Sequence, residues 1–191
     1  MIRRLTLATA AVLFFLCNPI QSSADDILVE ASFRATGSLG GVQFTDTFMR
    51  ISGLGQTENV QENNGIFLLF EDFVVSVKVD GVGQAEFVDE IQAVSNNNTE
   101  LGGFGNISTG AGLLFVQDPI FATYDLQKDL APVTGTGLVS SFNNNTTMGN
   151  LNIQTLTSEA EVIATIIVVP EPGSSILFVL ATGTLLRRRR T

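Results

Sequence analysis

The sequence has no histidine and no tryptophan, and only one cysteine and one tyrosine among its 191 residues. Without histidine there is no Ser-His-Asp triad, no Cys-His pair and no histidine-ligated zinc site. The single cysteine, Cys17, lies inside the first apolar run. A chain cleaved beyond it carries no disulfide, even in an oxidising compartment. Positive charge is scarce as well. Of the 19 acidic residues all but Glu171 fall between Asp25 and Val169, against Arg34, Arg50, Lys78 and Lys128, for a formal charge of −14. So strong a negative field argues against DNA, RNA or anionic lipid as a partner. It suits solubility, cation binding or a saline environment. No stretch shows a long amphipathic helical period.

What is present begins with two terminal signals. Met1-Ile2-Arg3-Arg4 is a short basic start, Leu5 to Cys17 is apolar apart from two Thr, and Ser22-Ser23-Ala24 supplies small residues before Asp25. This is the three-part plan of a secretory signal peptide over residues 1–24, cleaved between Ala24 and Asp25. The apolar run is too short to span a bilayer. Lipidation at Cys17 would want a small residue before it, and Leu16 stands there.

At the other end, Val169-Pro170-Glu171-Pro172-Gly173 leads into an uncharged stretch, Ser174 to Leu186, and then Arg187-Arg188-Arg189-Arg190-Thr191. As a helix that stretch reaches roughly 20 Å at about 1.5 Å per residue, short against a hydrocarbon core of about 30 Å. Arginine snorkelling and local thinning absorb part of the mismatch. The positive-inside rule keeps the four Arg cytoplasmic. Pro170 and Pro172 stop the helix from running back into the body. The sequence therefore divides into 1–24, an exported body 25–169, and a sorting segment 170–191.

Pro170-Glu171-Pro172, an apolar helix and the basic tip Arg187 to Arg190, in that order, resemble the PEP-CTERM sorting signal of Gram-negative bacteria. The resemblance implies export, transient holding in the inner membrane, and cutting near the motif by an exosortase-type membrane enzyme. Release or attachment at the cell surface follows, usually in bacteria that make exopolysaccharide. Signal peptidase and that enzyme are the implied processing partners. A GPI signal would not normally end in four Arg. A plain tail anchor would be the same helix without processing. The segments Gly37 to Asp46 and Phe121 to Leu126 loosely resemble exported domains of the same family, whose activity is not settled.

The body reads as strands. Ile27, Val29, Ala31, Phe33 and Ala35 alternate with Leu28, Glu30, Ser32, Arg34 and Thr36, the pattern of a strand with one buried face. Phe73, Val75, Val77 and Val79 alternate with Val74, Ser76, Lys78 and Asp80, and Asp80-Gly81 is a hairpin signal. Ile66, Leu68 and Phe70 have the opposite parity, which predicts a bulge or break near Glu71-Asp72. Ala160, Val162, Ala164, Ile166 and Val168 form a long final strand. Gly37-Ser38-Leu39-Gly40-Gly41, Asn96-Asn97-Asn98, Gly102-Gly103-Phe104-Gly105 and Asn143-Asn144-Asn145 read as turns. The expectation is an all-β, antiparallel β-sandwich, jelly-roll-like, with phenylalanines from Phe33 to Phe142 supplying its core.

Three chemistries remain for such a body. A carboxylate glycoside hydrolase would draw on Glu71-Asp72, Asp89-Glu90 or the trio Asp118, Asp125 and Asp129. Neighbours on a strand point to opposite faces, so neither doublet makes a site alone. The trio with Asn-rich turns is a calcium candidate, although no EF-hand or nonapeptide motif is present. Glycan binding is a further reading, but the Trp and Tyr faces that build sugar platforms are nearly absent. The sequons at Asn97, Asn106, Asn144 and Asn145 read as polar loops. The sequence reading is thus a non-enzymatic, secreted or cell-surface matrix protein with no cofactor except calcium as an option. A glycan- or calcium-binding adhesive module is the alternative, and a hydrolase the remote one.

Overall fold

The computed structural model describes residues 25–107, 109, 111–139 and 143–167. The signal peptide with Ala24 and Cys17, Phe142, Val168 and the sorting segment with Pro170, Glu171, Pro172 and Arg187 to Arg190 lie outside them. Asp25 is the first described residue.

Among the described residues fourteen strands follow one another. β1 (Asp26–Leu39) and β2 (Val42–Gln56) form the longest hairpin. β3 (Val60–Asn63) and β4 (Ile66–Leu69) come next, then β5 (Val74–Val79) and β6 (Gly83–Glu86). β7 (Ile91–Asn96), β8 (Leu101–Asn106) and β9 (Ala111–Gln117) make a meander. β10 (Leu130–Gly135) and β11 (Gly137–Leu138) precede β12 (Asn143–Thr146), β13 (Gly149–Leu156) and β14 (Ala160–Ile167). Among the described residues, helical structure is confined to two short 3-10 turns, Thr57–Asn59 and Pro119–Ala122.

All strand pairs are antiparallel and belong to two sheets. The first has the order β10-β14-β1-β2-β5-β6, with β13 also paired to β1 and β12 to β13; the second runs β11-β9-β8-β7-β4-β3. The first sheet curls. β1 pairs with β14 along its first half and with β13 along its second, the register shifting at Thr36/Gly37. At its far edge, Phe87 bridges Thr146. Val88 N–H donates to the Asn145 carbonyl at 2.8 Å and Thr147 N–H to the Glu86 carbonyl at 2.9 Å. The circuit β1-β2-β5-β6-β12-β13 thereby closes on itself at one end, which removes an open edge that would otherwise template aggregation.

The core follows from the alternation. Ile27, Val29, Ala31, Phe33 and Ala35 of β1 face inward and are buried, as are Val75, Val77 and Val79 of β5 and Ala160, Val162 and Ala164 of β14. Each fully buried Val, Ile or Phe contributes about 1.5–3 kcal/mol relative to exposure. Leu69, Phe104, Leu114 and Val116 of the second sheet join the same cluster. Asp80-Gly81 turns the β5–β6 hairpin, with Gly81 at φ +73°. A left-handed backbone of this kind costs glycine nothing.

The bulge or break expected near Glu71-Asp72 is a full break, with Asp72 at φ +51°, because the chain there changes sheets from β4 to β5. Four expectations need correction. The inward side of β4 carries the buried Leu69 and the core-packed Phe67, not Ile66 and Leu68. Gly102 to Gly105 are no turn but the middle of β8. A side chain on Gly102 would overlap the Phe121 ring, so the glycine is the space that ring occupies. Asn143 to Asn145 likewise form strand β12, paired to β13. The core is also less aromatic than expected: of the described phenylalanines, Phe33, Phe44, Phe104 and Phe121 are buried, and aliphatic residues supply most of the rest.

Candidate functional site

Two links cross between the sheets side by side. One runs from β4 through Phe70, Glu71, Asp72 and Phe73 to β5. The other runs from β6 through Phe87, Val88, Asp89 and Glu90 to β7. Between them lies a cleft of about 500 Å³. Phe70, Phe73 and Phe87 line it half-buried, with Val75 and Ile91 buried beneath. Val74 and Val88 stand on its rim, 62% and 67% exposed.

Glycine fixes one wall. Gly53 and Gly55 of β2 leave the gap into which the Phe73 ring settles. That ring also stacks on Phe104, with centroids 6.3 Å and planes 15° apart. The polar rim divides by duty. Asp89 is a clamp: its carboxylate accepts from Asn145 N–H at 2.6 Å and from Asn145 Nδ2 at 2.9 Å, fastening β12 to the β6–β7 link. Glu71 accepts from Gln61 Nε2 at 3.1 Å, and its carbonyl accepts from Asn59. The Glu90 carbonyl accepts from Ile107 N–H at 3.0 Å. Its exposed carboxylate makes no ion pair or hydrogen bond among the described residues. Members of both acidic doublets thus meet at one cleft, although neither doublet forms a site by itself.

The calcium trio does not assemble. Asp118 caps the 3-10 turn, its Oδ1 accepting from Ile120 N–H at 2.9 Å. Asp125 accepts from Gln127 N–H at 3.2 Å and lies 3.7 Å from Lys128 Nζ. Asp129 accepts from Ile166 N–H at 2.7 Å and so ties its loop to β14. Asp118 and Asp125 perform local backbone capping, the ordinary role of Asp in turns, and Asp129 serves an adjoining strand. No group of three metal-binding side chains occurs among the described residues. Tyr124 lies within electrostatic reach of Asp125 and Asp129. Burial, reinforced by those two carboxylates, pushes its hydroxyl well above the ordinary range. It therefore stays protonated and donates to the Lys128 carbonyl at 3.0 Å.

Two further polar features were not legible in the sequence. Asn106 of β8 donates to Asn144 of β12 at 3.1 Å, both side chains being buried. This amide pair joins the two sheets, so two of the four sequon asparagines are interior strand residues rather than loop residues. On the outer face of the first sheet, Arg34 Nε donates to Asp46 Oδ1 at 2.9 Å, and Thr157 Oγ1 donates to the same oxygen at 2.6 Å. Those hydrogen bonds, Arg34 first, hold the Asp46 carboxyl down at about 2. The bond to Asp46 likewise raises the Arg34 guanidinium.

No family model, curated protein or solved structure matches the chain. Among the described residues no helix is long and apolar enough to cross a membrane.

Proposed function

We propose that this chain is an exported, non-enzymatic protein of the cell surface or extracellular matrix, sorted through Pro170-Glu171-Pro172. The carrying observation is the order of parts at the C-terminus. Strand β14 runs to Ile167, and the Pro-Glu-Pro motif, the apolar stretch and Arg187 to Arg190 follow at once. The folded body therefore stands next to the cutting motif. The N-terminal signal starts export, the apolar stretch pauses it in the inner membrane, and an exosortase-type enzyme frees the body. Exopolysaccharide is the surrounding material that the resemblance implies.

The acids support a non-enzymatic reading. Asp46, Asp89, Asp118, Asp125 and Asp129 are each engaged by backbone or side-chain donors. A glycoside hydrolase needs two carboxylates committed to the scissile bond. The architecture we read as a β-sandwich of jelly-roll-like type. The chain alternates between its sheets, β1–β2 in the first, β3–β4 in the second, β5–β6 in the first and β7–β9 in the second.

Intact mass and C-terminal sequencing of the protein from producing cells test the sorting. The expected product begins at Asp25 and ends near Pro172. Replacing Pro170-Glu171-Pro172 by alanines should leave full-length protein in the inner membrane, and unchanged release of that variant would refute the reading.

A further inference from the structure

The cleft between the β4–β5 and β6–β7 links combines features that the sorting reading leaves unused. Its lining is phenyl and aliphatic, from Phe70, Phe73 and Phe87. Its rim is acidic, with Glu71 and Glu90 exposed. It also opens onto the outer face of the first sheet. There Leu28 pairs with Leu54 and Leu54 with Val74 in one cross-strand row. Leu54, Val74 and Val88 are exposed by 45%, 62% and 67%. Such a row of outward apolar side chains on an acidic, otherwise polar surface marks an interaction site. A half-buried phenyl face beside a carboxylate favours a cation carried on an apolar stem. The ring quadrupole and the carboxylate both attract the charge, and the ring covers the stem.

Charge decides the occupant. The body carries −14 with only four cations. Among the described residues, Arg34, Arg50 and Lys128 already pair with Asp46, Glu30 and Asp125. An acidic peptide or an anionic polysaccharide would meet repulsion at the rim, and a neutral sugar would donate hydroxyls to Glu90 but leave its charge uncompensated. We propose that this cleft and the exposed Leu54, Val74 and Val88 beside it bind a polypeptide segment in which Lys or Arg alternates with apolar residues. Its cations meet Glu90 and Glu71, and its apolar side chains lie on Phe87, Val88 and Val74. The site does not depend on how the chain is sorted, so its failure and the failure of the sorting reading are distinguishable.

The test uses the full chain in mild detergent and a fluorescent probe peptide, Leu-Lys-Leu-Arg-Leu-Lys, followed by anisotropy. Saturable binding is expected that weakens as salt rises from 0.1 to 1 M, where the screening length falls from about 10 to about 3 Å. Glu90→Gln and Val88→Ser should each weaken binding about tenfold, equivalent to roughly 1.4 kcal/mol. Both positions are exposed, so unchanged far-ultraviolet circular dichroism and unfolding temperature will show that the fold is retained. Glu62→Gln, on the exposed edge strand β3, should leave the affinity unchanged. Four results would overturn the proposal: no binding, equal loss in all three variants, spermine binding as tightly as the peptide, or displacement of the peptide by calcium or neutral oligosaccharide.

Discussion

The two sheets are built by opposite means. In the first, inward positions are filled by the strand's own residues: Ile27, Val29, Ala31 and Phe33 on β1, Val75, Val77 and Val79 on β5. In the second, the central strand β8 offers glycine, and rings from elsewhere fill the space. Phe121, from the 3-10 turn after β9, covers Gly102. Phe73 repeats the device on Gly53 and Gly55 at the boundary between the sheets. A strand of the first kind carries its packing with it. A strand of the second kind is a mould whose filling arrives from another part of the chain.

The sharpest way to break that contrast is to remove a filling. Phe121→Ala empties a fully buried ring and should cost about 3–5 kcal/mol in denaturant unfolding. Gly102→Ala instead overfills the mould and should cost about 1–3 kcal/mol. Together the two changes should cost clearly less than their sum, since the new methyl then enters the space the ring vacated. A coupling of about 0.5–3 kcal/mol is the range for residues in contact. Val162→Ala in the first sheet, combined with Gly102→Ala, should add without coupling. Simple additivity of Phe121→Ala with Gly102→Ala would show that the glycine is not there for the ring.

A smaller effect tests how the first sheet is closed. Asp89→Ala removes both acceptors of Asn145 and should cost about 1.5 kcal/mol, the lower end for a hydrogen bond to a charged group. Its signature is local. Hydrogen exchange should quicken at Asn145, Thr147 and Val88, which carry the closing bonds, and stay unchanged in β7 and β8. Uniform quickening everywhere would mean that Asp89 supports global stability rather than the seam.

The same contrast explains what the sequence reveals. Period-two alternation of Val, Ile and Ala is a local signal, so β1, β5 and β14 are legible together with the Asp80-Gly81 hairpin. Gly102-Gly103-Phe104-Gly105 has Phe104 as its one large inward side chain, and glycine is locally a turn residue. Its pairing with β7 and β9, and Phe121 over Gly102, make it a strand. Asn143 to Asn145 mislead for a related reason. A buried asparagine is tolerable only with a partner, and the partner of Asn144 is Asn106, on a different sheet. The cleft was legible in its residues but not in its place: Glu71 and Glu90 sit on separate links, and the chain's crossings between sheets bring them together. Asp118, Asp125 and Asp129 are near loops as the sequence indicates, yet each is used by a backbone N–H within its own turn or by an adjoining strand.

The smallest effect concerns charge. Both ion pairs that cross between strands, Arg34–Asp46 and Arg50–Glu30, lie on the β1–β2 hairpin of the first sheet, and among the described residues none lies within the second. Asp46 sits at φ +47°, where β1 and β2 slip register between Ala35 and Gly37. Its carboxyl is held at about 2 by Arg34 and Thr157, below the roughly 3.9 of an unfolded chain. A depressed value means that the unfolded state takes up the proton first. The carboxylate's stabilisation is therefore complete above about pH 4 and disappears as the pH falls through about 2. The pair is exposed, so its contribution is small and screened by salt. The gap in unfolding temperature between the native protein and Asp46→Asn should be widest at neutral pH and close between about pH 4 and pH 2. A gap independent of pH, or one that closes above pH 5, would mean that Asp46 acts through its backbone turn rather than its charge. Acid should accordingly loosen the β1–β2 seam at Thr36 and Asp46 before it affects β8, whose packing rests on uncharged rings and glycines and has no carboxylate to titrate.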